Sequence, residues 1–189
     1  MVAALTVTQL ARVLADALTR ANIEYGIGGA ISGSYWGVPR ATVDVDVTVF
    51  AVPESLPRAL DALASAGCVF DRAEAVRDAL SRGTFRADHA GIRVDVYVPD
   101  VPLYEEALRR RRTVDLEGSP AQIWSPEIIV AFKMLYFRSK DRPDVERILE
   151  AQRATFEFDT VRRWLVESVG PSDERVVWWD QTASKIRPK

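Results

Sequence analysis

With 189 residues, the chain is long enough for one domain, or for a domain with a small helical appendage, around a real hydrophobic core. Its single cysteine excludes an intrachain disulfide and a zinc cluster of thiolates, and its single histidine excludes multi-histidine metal sites. The net charge of -2 provides no overall positive field for nucleic acid, and no apolar stretch approaches the ~20 residues that cross a bilayer. We therefore expect a cytoplasmic globular protein.

The first two thirds of the chain alternate between predicted helices and strands. A helix is predicted after Thr8, which is suited to cap it, because apolar residues recur at helical spacing from Leu10 to Leu18. A short strand, a short helix, a valine-rich strand and a second helix are predicted next, at 23–28, 30–36, 43–50 and 55–67. Further on, the pattern predicts a strand, a short helix and a hairpin, at 92–98, 101–112 and 113–124.

From Ser125 onward the pattern is helical throughout. Ser125 suits an N-cap and Pro126 the first helical position, and three more helices are predicted at 142–152, 158–170 and 171–186, the second of them capped by Asp159. The sequence thus predicts an α/β (or α+β) fold with two parts: a core at 1–124, and a C-terminal helical segment at 125–189 that packs on it.

Two carboxylates lie within the valine-rich strand. Since alternate residues share a face, the odd-numbered valines from Val43 to Val49 are predicted on one side, with Asp44 and Asp46 on the other. A later strand repeats this alternation around Asp95. If the two strands are neighbours, three carboxylates converge; two residues along a strand span ~6.6 Å, which suits one hard cation or a pair. Oxygen ligands favour Mg²⁺ or Mn²⁺, and the alternative is a solvated acidic face.

Glycine pairs precede this strand. Gly28-Gly29 falls between a predicted strand and a helix, where backbone N–H groups can approach a phosphate, and Gly33-Ser34 is a second candidate at shorter spacing. Either pair can also be a simple turn.

The glycine pair, the short helix and the motif formed by Arg40, Thr42, Asp44 and Asp46 resemble the nucleotidyltransferase superfamily of the polymerase-β type. Within it, the likeness is to the AbiEii-like and related minimal nucleotidyltransferases. Residues 125–149 resemble the family's helical segment, which carries a lysine and a K-D-x-x-D stretch. The resemblance spans roughly 23–149 and implies the nucleotidyltransferase fold, a small mixed sheet flanked by helices.

The resemblance also implies an activity. Asp44, Asp46 and Asp95 would be catalytic and would hold Mg²⁺ or Mn²⁺, with Asp95 helping to deprotonate an acceptor hydroxyl that attacks the α-phosphate of a nucleoside triphosphate. The implied nucleotide-binding residues are Gly28, Gly29, Ser34, Arg40, Lys133 and Asp141.

Several of these residues have a plainer interpretation. Lys133 can be a surface lysine whose stem covers apolar neighbours, and Asp141 and Asp144 can orient Lys133 or Arg40 or provide negative charge at a helix N-terminus. We favour Asp141 near the site and a structural Asp144.

Two further groups have both a binding and a structural interpretation. The arginines at 109–112 can follow a phosphodiester backbone or end a helix. Trp178 and Trp179 can stack on a base or pack in the helical tail.

The acceptor is the least determined part of the prediction. We expect a macromolecule, either transfer RNA or a partner protein, and a possible place in a toxin–antitoxin pair. The alternatives are a small-molecule nucleotidyltransferase of the aminoglycoside type, a non-catalytic nucleotide-binding or partner-binding domain, and a glycosyltransferase. An acid-rich acceptor pocket favours the aminoglycoside, and a basic groove formed by arginines 109–112 favours RNA.

Overall fold

The structure is a computed structural model that describes residues 5–188. The chain forms two compact units: the first runs up to Ile31 and resumes over Ala41–Ile123, and the second comprises Ser32–Arg40 and the described chain from Trp124 onward. The outermost residues of the predicted boundaries, 1–4 and 189, lie outside the described part.

Helices and strands alternate over most of the chain. Residues 5–188 contain, in order, α1 (Val7–Arg20), β1 (Tyr25–Ile27), α2 (Gly29–Trp36), β2 (Asp44–Val49), α3 (Leu56–Ser65), α4 (Arg72–Arg82), β3 (Thr84–His89), β4 (Ile92–Tyr97), α5 (Leu103–Arg110), β5 (Arg112–Leu116), β6 (Ser119–Ile123), α6 (Pro126–Tyr136), α7 (Asp141–Gln152), α8 (Phe158–Val169) and α9 (Glu174–Ile186). The mixed α/β class is therefore as predicted.

The six strands form one mixed sheet in the order β3-β4-β2-β1-β6-β5. β2 pairs in parallel with β4 and antiparallel with β1, while β1 pairs in parallel with β6. The predicted hairpin is present as β5 and β6. Val45, Val47 and Val49 are fully buried. Val43 precedes the strand and is 79% exposed, so the buried valine face has one valine fewer than predicted.

The core of the first unit lies between this sheet and amphipathic helices. α1 packs against β1, β2, β5 and β6, and α3 packs against α1. Leu10, Leu14 and Leu18 of α1 are fully buried, as their spacing predicted. The predicted cap of α1 is wrong: Thr6 accepts from the Gln9 N–H at 3.2 Å, and the Gln9 side chain accepts from the Thr6 N–H in return. A reciprocal capping box of this kind satisfies two N-terminal donors at once.

The second unit is helical. α6 packs against α7 and α8, and α9 packs against α7 and α8. Ser125 caps α6, with its hydroxyl accepting from the Ile128 N–H, as predicted. Asp159 is not the cap of α8; it lies inside the first turn, because the helix begins one residue earlier at Phe158.

Both tryptophans of the last helix contact aromatic rings of the second unit. Trp179 is 1% exposed and packs against Phe156 and Phe158, whereas Trp178 contacts the Phe137 ring edge to face. Within residues 5–188, none of the helices combines the length and the apolar character needed to cross a bilayer.

Candidate active site

The pairing of β2 with β4 brings the predicted carboxylates to one face of the sheet. In this parallel pair, Asp46 lies opposite Asp95 and Asp44 lies opposite Arg93. Because side chains alternate, Val45 and Val47 of β2 face the core with Val94 and Val96 of β4, and all four are fully buried. The acids are therefore placed on the opposite face by the same alternation that buries the valines.

Asp44 and Asp95 both form ion pairs with the same arginine side chain. The Arg93 guanidinium forms an ion pair with Asp44 through Nη2 and with Asp95 through Nε at 3.2 Å. Arg86 of β3 forms a second ion pair with Asp95, also at 3.2 Å, and the Thr42 hydroxyl donates to Asp44 at 2.8 Å. The charge on Asp95, opposed by desolvation and assisted by Asp44 and Asp46, raises the pKa of Arg93.

Asp46 has a different environment. Its carboxylate accepts a hydrogen bond from the Tyr97 hydroxyl at 3.2 Å. Burial, followed by the negative charges of Asp44 and Asp95, raises the pKa of Asp46, and the Tyr97 hydrogen bond and the Arg93 charge offset only part of this. The raised pKa reports an excess of negative charge at a partly dehydrated position.

Gly28-Gly29 lies against Asp46. The Gly28 N–H donates to the backbone carbonyl of Asp46 at 2.8 Å. Gly29 has a φ of +54°, and a Cβ built on it would lie 1.7 Å from Asp46 Oδ2, a distance no side chain can accommodate. This position therefore requires glycine for the close approach of the carboxylate. Gly33, by contrast, has only the Lys133 stem near it, at 3.7 Å from an added Cβ.

The donor set of Asp44, Asp46 and Asp95 fits a hard divalent cation in kind, since all the ligand atoms are carboxylate oxygens. Two observations support this fit: a guanidinium already bridges Asp44 and Asp95, and the backbone at Gly29 leaves room for the Asp46 carboxylate. Over residues 5–188, however, no three acidic, histidine or cysteine side chains are grouped tightly enough to enclose one ion.

The other predicted residues form a charged cluster within the second unit. Lys133 of α6 is buried, and its ammonium lies 2.7 Å from Asp144 and 3.7 Å from Asp141. Arg40 also pairs with Asp144, at 3.2 Å, and its backbone N–H donates to the Ser34 hydroxyl. The interpretation of Lys133 as a surface lysine is therefore wrong, because packing and paired carboxylates hold it inside.

The two acids of this cluster share Lys133 but differ in their arginine partners. Asp144 contacts Lys133, Arg40 and Arg147, whereas the nearly inaccessible Asp141 accepts from the side chain and backbone of Arg138. A small surface pocket opens beside Asp144, lined by Gly33, Ser34, Val38, Arg40, Asp144 and Arg147. The acid that joins Lys133 to Arg40 is thus Asp144, which we had expected to be structural.

The arginines at 109–112 are engaged locally. Arg109 and Arg110 both form ion pairs with Glu106, one turn earlier on α5. Arg111 pairs with Glu24 and donates to the Tyr25 carbonyl. These contacts match the helix-end interpretation rather than an open basic groove.

Sequence reasoning places Arg93 and Tyr97 on the same strand face as Asp95 but assigns a role to neither. Each lies two residues from Asp95 on β4, so strict alternation places both on the acidic face. The signal was present in the motif Arg93-Val94-Asp95-Val96-Tyr97, but its meaning depended on the parallel register with β2, which the sequence did not reveal.

The sequence matches no protein-family profile and no curated protein. Solved structures do resemble this one. The antibiotic-resistance factor ANT(2'')-Ia in solution superposes with a TM-score of 0.61 at 14% identity, covering 94% of both chains. The chain has the nucleotidyltransferase fold. This confirms the predicted fold, while the AbiEii-like assignment stays a prediction.

Two further structures share this fold. A crystal structure of ANT(2'')-Ia with adenylyl-2''-tobramycin has a TM-score of 0.52 at 15% identity, covering 94% of this chain and 97% of that one. An antigenic nucleotidyltransferase-like protein from Paracoccidioides brasiliensis has a TM-score of 0.50 at 17% identity, covering 97% of this chain and 94% of that one. At these identities the likeness concerns the fold.

Proposed function

We propose that the protein is a nucleotidyltransferase that depends on a divalent metal and moves a nucleoside monophosphate from a nucleoside triphosphate to an acceptor hydroxyl. The observation that carries this proposal is the register of β2 and β4, which sets Asp46 opposite Asp95 and beside Asp44, with Gly29 in contact with Asp46. An exposed acidic face without function would not need a glycine packed against one of its carboxylates.

Each carboxylate has a role in this reaction. Asp44 and Asp46 would hold the cation, and Asp95 would help to hold it and would accept the proton of the acceptor hydroxyl. The hydroxyl oxygen forms a bond to the α-phosphorus, the bond from that phosphorus to the bridging oxygen breaks, and pyrophosphate leaves. Bound Mg²⁺ or Mn²⁺ would supply neutralisation of the triphosphate charge and alignment of the attack.

The second unit contributes phosphate binding in this proposal. Lys133, Arg40 and Arg147 place three positive charges around the single carboxylate of Asp144, next to the Ser34 hydroxyl. This local excess of cations suits phosphate oxygens, for which a lysine acts as a point charge and an arginine as a fork. Asp141, with its Arg138 partner, keeps Lys133 in place.

The acceptor is best sought first among small cationic molecules. Arginines 109–111 form ion pairs with Glu106 and Glu24, and so they support an RNA acceptor less than an open basic groove would. A structure of the same fold has been solved with adenylyl-2''-tobramycin, a nucleotidylated aminoglycoside. Transfer RNA and a partner protein, including an antitoxin or toxin in the cytoplasm, are the competing acceptors.

The test is a transfer assay with α-³²P-labelled nucleoside triphosphates. The purified chain is incubated with Mg²⁺ or Mn²⁺ and, in parallel, with an aminoglycoside panel, total transfer RNA and a co-expressed partner protein. We expect label on one acceptor class for the wild type and none for Asp46→Asn. No label on any acceptor, with no nucleotide binding by calorimetry, would contradict the proposal; label on transfer RNA alone would correct the acceptor.

A further inference from the structure

A positive side chain of the protein occupies the position between two of the proposed metal ligands. The Arg93 guanidinium contacts Asp44 through Nη2 and Asp95 through Nε, so one planar group spans carboxylates from two neighbouring strands. These are the same two carboxylates that would have to turn toward a divalent cation. Arginine and cation therefore compete for the same oxygens.

We infer that Arg93 is a built-in counter-ion. Its ion pairs with Asp44 and Asp95 keep these carboxylates from binding the divalent metal ion, and Arg93 is displaced when that ion binds. This inference rests on the proposed function and deepens it, because it assigns control of metal loading to a residue of the chain itself.

The environment of Arg93 permits displacement. Its side chain is 48% exposed, whereas the Asp44 and Asp95 side chains are 21% and 14% exposed, so the guanidinium can move to solvent while the carboxylates stay in place. Asp46 accepts a hydrogen bond from the neutral Tyr97 hydroxyl and forms no ion pair with Arg93 that would have to break. An ion pair whose arginine is half exposed costs little to break, because the guanidinium is readily solvated.

Displacement has a consequence for nucleotide binding. Once Arg93 leaves the carboxylates, its guanidinium lacks them as partners, and the phosphates of a nucleotide are suitable replacements. Cation and nucleotide therefore bind cooperatively, each favouring the state in which Arg93 has moved. Such coupling is reciprocal for the two affinities.

The experiment measures binding of Mn²⁺ to the full chain without nucleotide, by electron paramagnetic resonance titration. We expect Arg93→Gln to bind Mn²⁺ about tenfold more tightly than the wild type, since the competing ion pairs are gone. Arg86→Gln is the matched control: it removes an equal charge that contacts Asp95 but not Asp44, from a side chain that is 76% exposed. Its effect should stay under about threefold, because an exposed pair is screened.

Two further variants keep the result decisive. Arg93→Lys retains the charge without the planar fork and should bind Mn²⁺ with an affinity between wild type and Arg93→Gln; it also serves if the glutamine variant does not fold. Asp46→Asn in the Arg93→Gln background should lose the tighter Mn²⁺ binding, which places the ion at this site.

The cooperativity is measured with a non-hydrolysable nucleoside triphosphate. The factor by which the analogue tightens Mn²⁺ binding should be smaller in Arg93→Gln than in the wild type. Equal or weaker Mn²⁺ affinity in Arg93→Gln and Arg93→Lys, beside measurable binding by the wild type, would overturn the inference and leave the proposed function standing. If neither wild type nor variants bind Mn²⁺, with or without the analogue, both are overturned.

Discussion

The two units of the chain each hold a group of buried or half-buried aspartates, and they treat the negative charge in different ways. In the second unit, Asp144 is contacted by Lys133, Arg40 and Arg147, and Asp141 by Arg138 and Lys133. In the first unit, Asp44 and Asp95 share Arg93, and Asp46 has a neutral hydroxyl as its hydrogen-bond donor. The aspartates of the second unit are fully paired with positive side chains, whereas those of the first unit have fewer positive partners than negative charges.

The two groups therefore differ in how fully their negative charge is compensated by positive side chains. A buried ion pair with full compensation resists substitution of either partner, because the remaining charge has nowhere to go. A group of like charges without sufficient compensation costs stability and is kept where a ligand is to supply the missing charge. Substitutions at the two groups should therefore have opposite effects on stability.

The largest effect is expected from neutralising the acids of the first unit. Asp44→Asn, Asp46→Asn and Asp95→Asn should each lower nucleotide transfer by roughly a thousandfold or more, because several kcal/mol of charge stabilisation are lost. For Asp46→Asn, the metal-free free energy of unfolding should stay equal or rise, as removal of an electrostatic excess predicts. Transfer kinetics and urea unfolding measure the two quantities, and normal turnover in two of the variants would refute the metal-site assignment.

Removing the buried ammonium of Lys133, in the second unit, should mainly lower the stability of the protein. Lys133→Met leaves Asp141 and Asp144 without their buried ammonium, which should cost about 3 kcal/mol in unfolding free energy. Lys140→Met, four residues from Asp144 in sequence but exposed, is the matched control and should change stability by less than about 0.5 kcal/mol. Urea unfolding gives both numbers. Equal effects would mean that the Lys133 pairs contribute nothing beyond surface charge.

The same pair of variants also tests phosphate binding. At a temperature where Lys133→Met is folded, the affinity for a nucleoside triphosphate should fall, because the proposed function gives the Lys133 ammonium the role of binding phosphate. Calorimetric titration, with Lys140→Met beside it, separates this from any effect of lowered stability. Unchanged nucleotide affinity would leave Lys133 with a structural role alone.

A smaller effect is expected from the glycine that packs on Asp46. Gly29→Ala adds a Cβ that collides with the carboxylate, on a backbone with positive φ, and should cost about 2 kcal/mol and most of the activity. Gly91→Ala has the same backbone strain, with a φ of +88°, but nothing within 4 Å of the added Cβ. It should cost about 1 kcal/mol and spare activity. Thermal unfolding with a transfer assay compares them, and matching losses in both would show that backbone strain alone is responsible.

The smallest effect is a difference in pH dependence. The pKa of Asp46 is raised from 3.8, so the folded state binds more protons than the unfolded state just above pH 3.8, and stability from this group falls as the pH rises. Arg175 lowers the pKa of Asp173, the cap of α9, to about 2, so its contribution is complete above pH 3.8 and is lost as the pH falls toward 2.

Urea unfolding of the metal-free protein from about pH 2 to about pH 6 measures both slopes. Asp46→Asn should remove the fall in unfolding free energy that occurs as the pH rises. Asp173→Asn should reduce the loss of unfolding free energy that occurs as the pH falls toward 2. If both variants altered the curve in the same direction, the contrast in charge compensation would be wrong for one of them.

Alternation was the part of the structure most readable from the sequence. The buried valines of β2 and β4 follow directly from period-two spacing, and the caps and periodicity of α6 were equally clear. α4 and β3 were not predicted, because α4 buries only Ala75 and Ala79 and its apolar periodicity is correspondingly weak. Local signals of this size are overridden by tertiary packing.

The sequence indicated the three acids of the candidate site, but it did not indicate that Arg93 pairs with two of them. Asp44, Asp46 and Asp95 stand out as carboxylates in apolar strands, where burial of charge requires a reason. Arg93 looks like an ordinary exposed arginine in sequence, and only the register that places it opposite Asp44 gives it a partner on β2. Pairing register depends on contacts distant in sequence, so it is the information that a linear pattern lacks.

The parallel pairing of β2 with β4 also bears on how the site forms during folding. Parallel strands need a crossover, here the chain through α3, α4 and β3, so the pairing joins residues that are distant in sequence. Bringing the carboxylate of Asp95 up to those of Asp44 and Asp46 adds repulsion between like charges to that step. Because Arg93 is carried on the same strand as Asp95, we expect its positive charge to arrive together with the third negative one and to offset part of the repulsion.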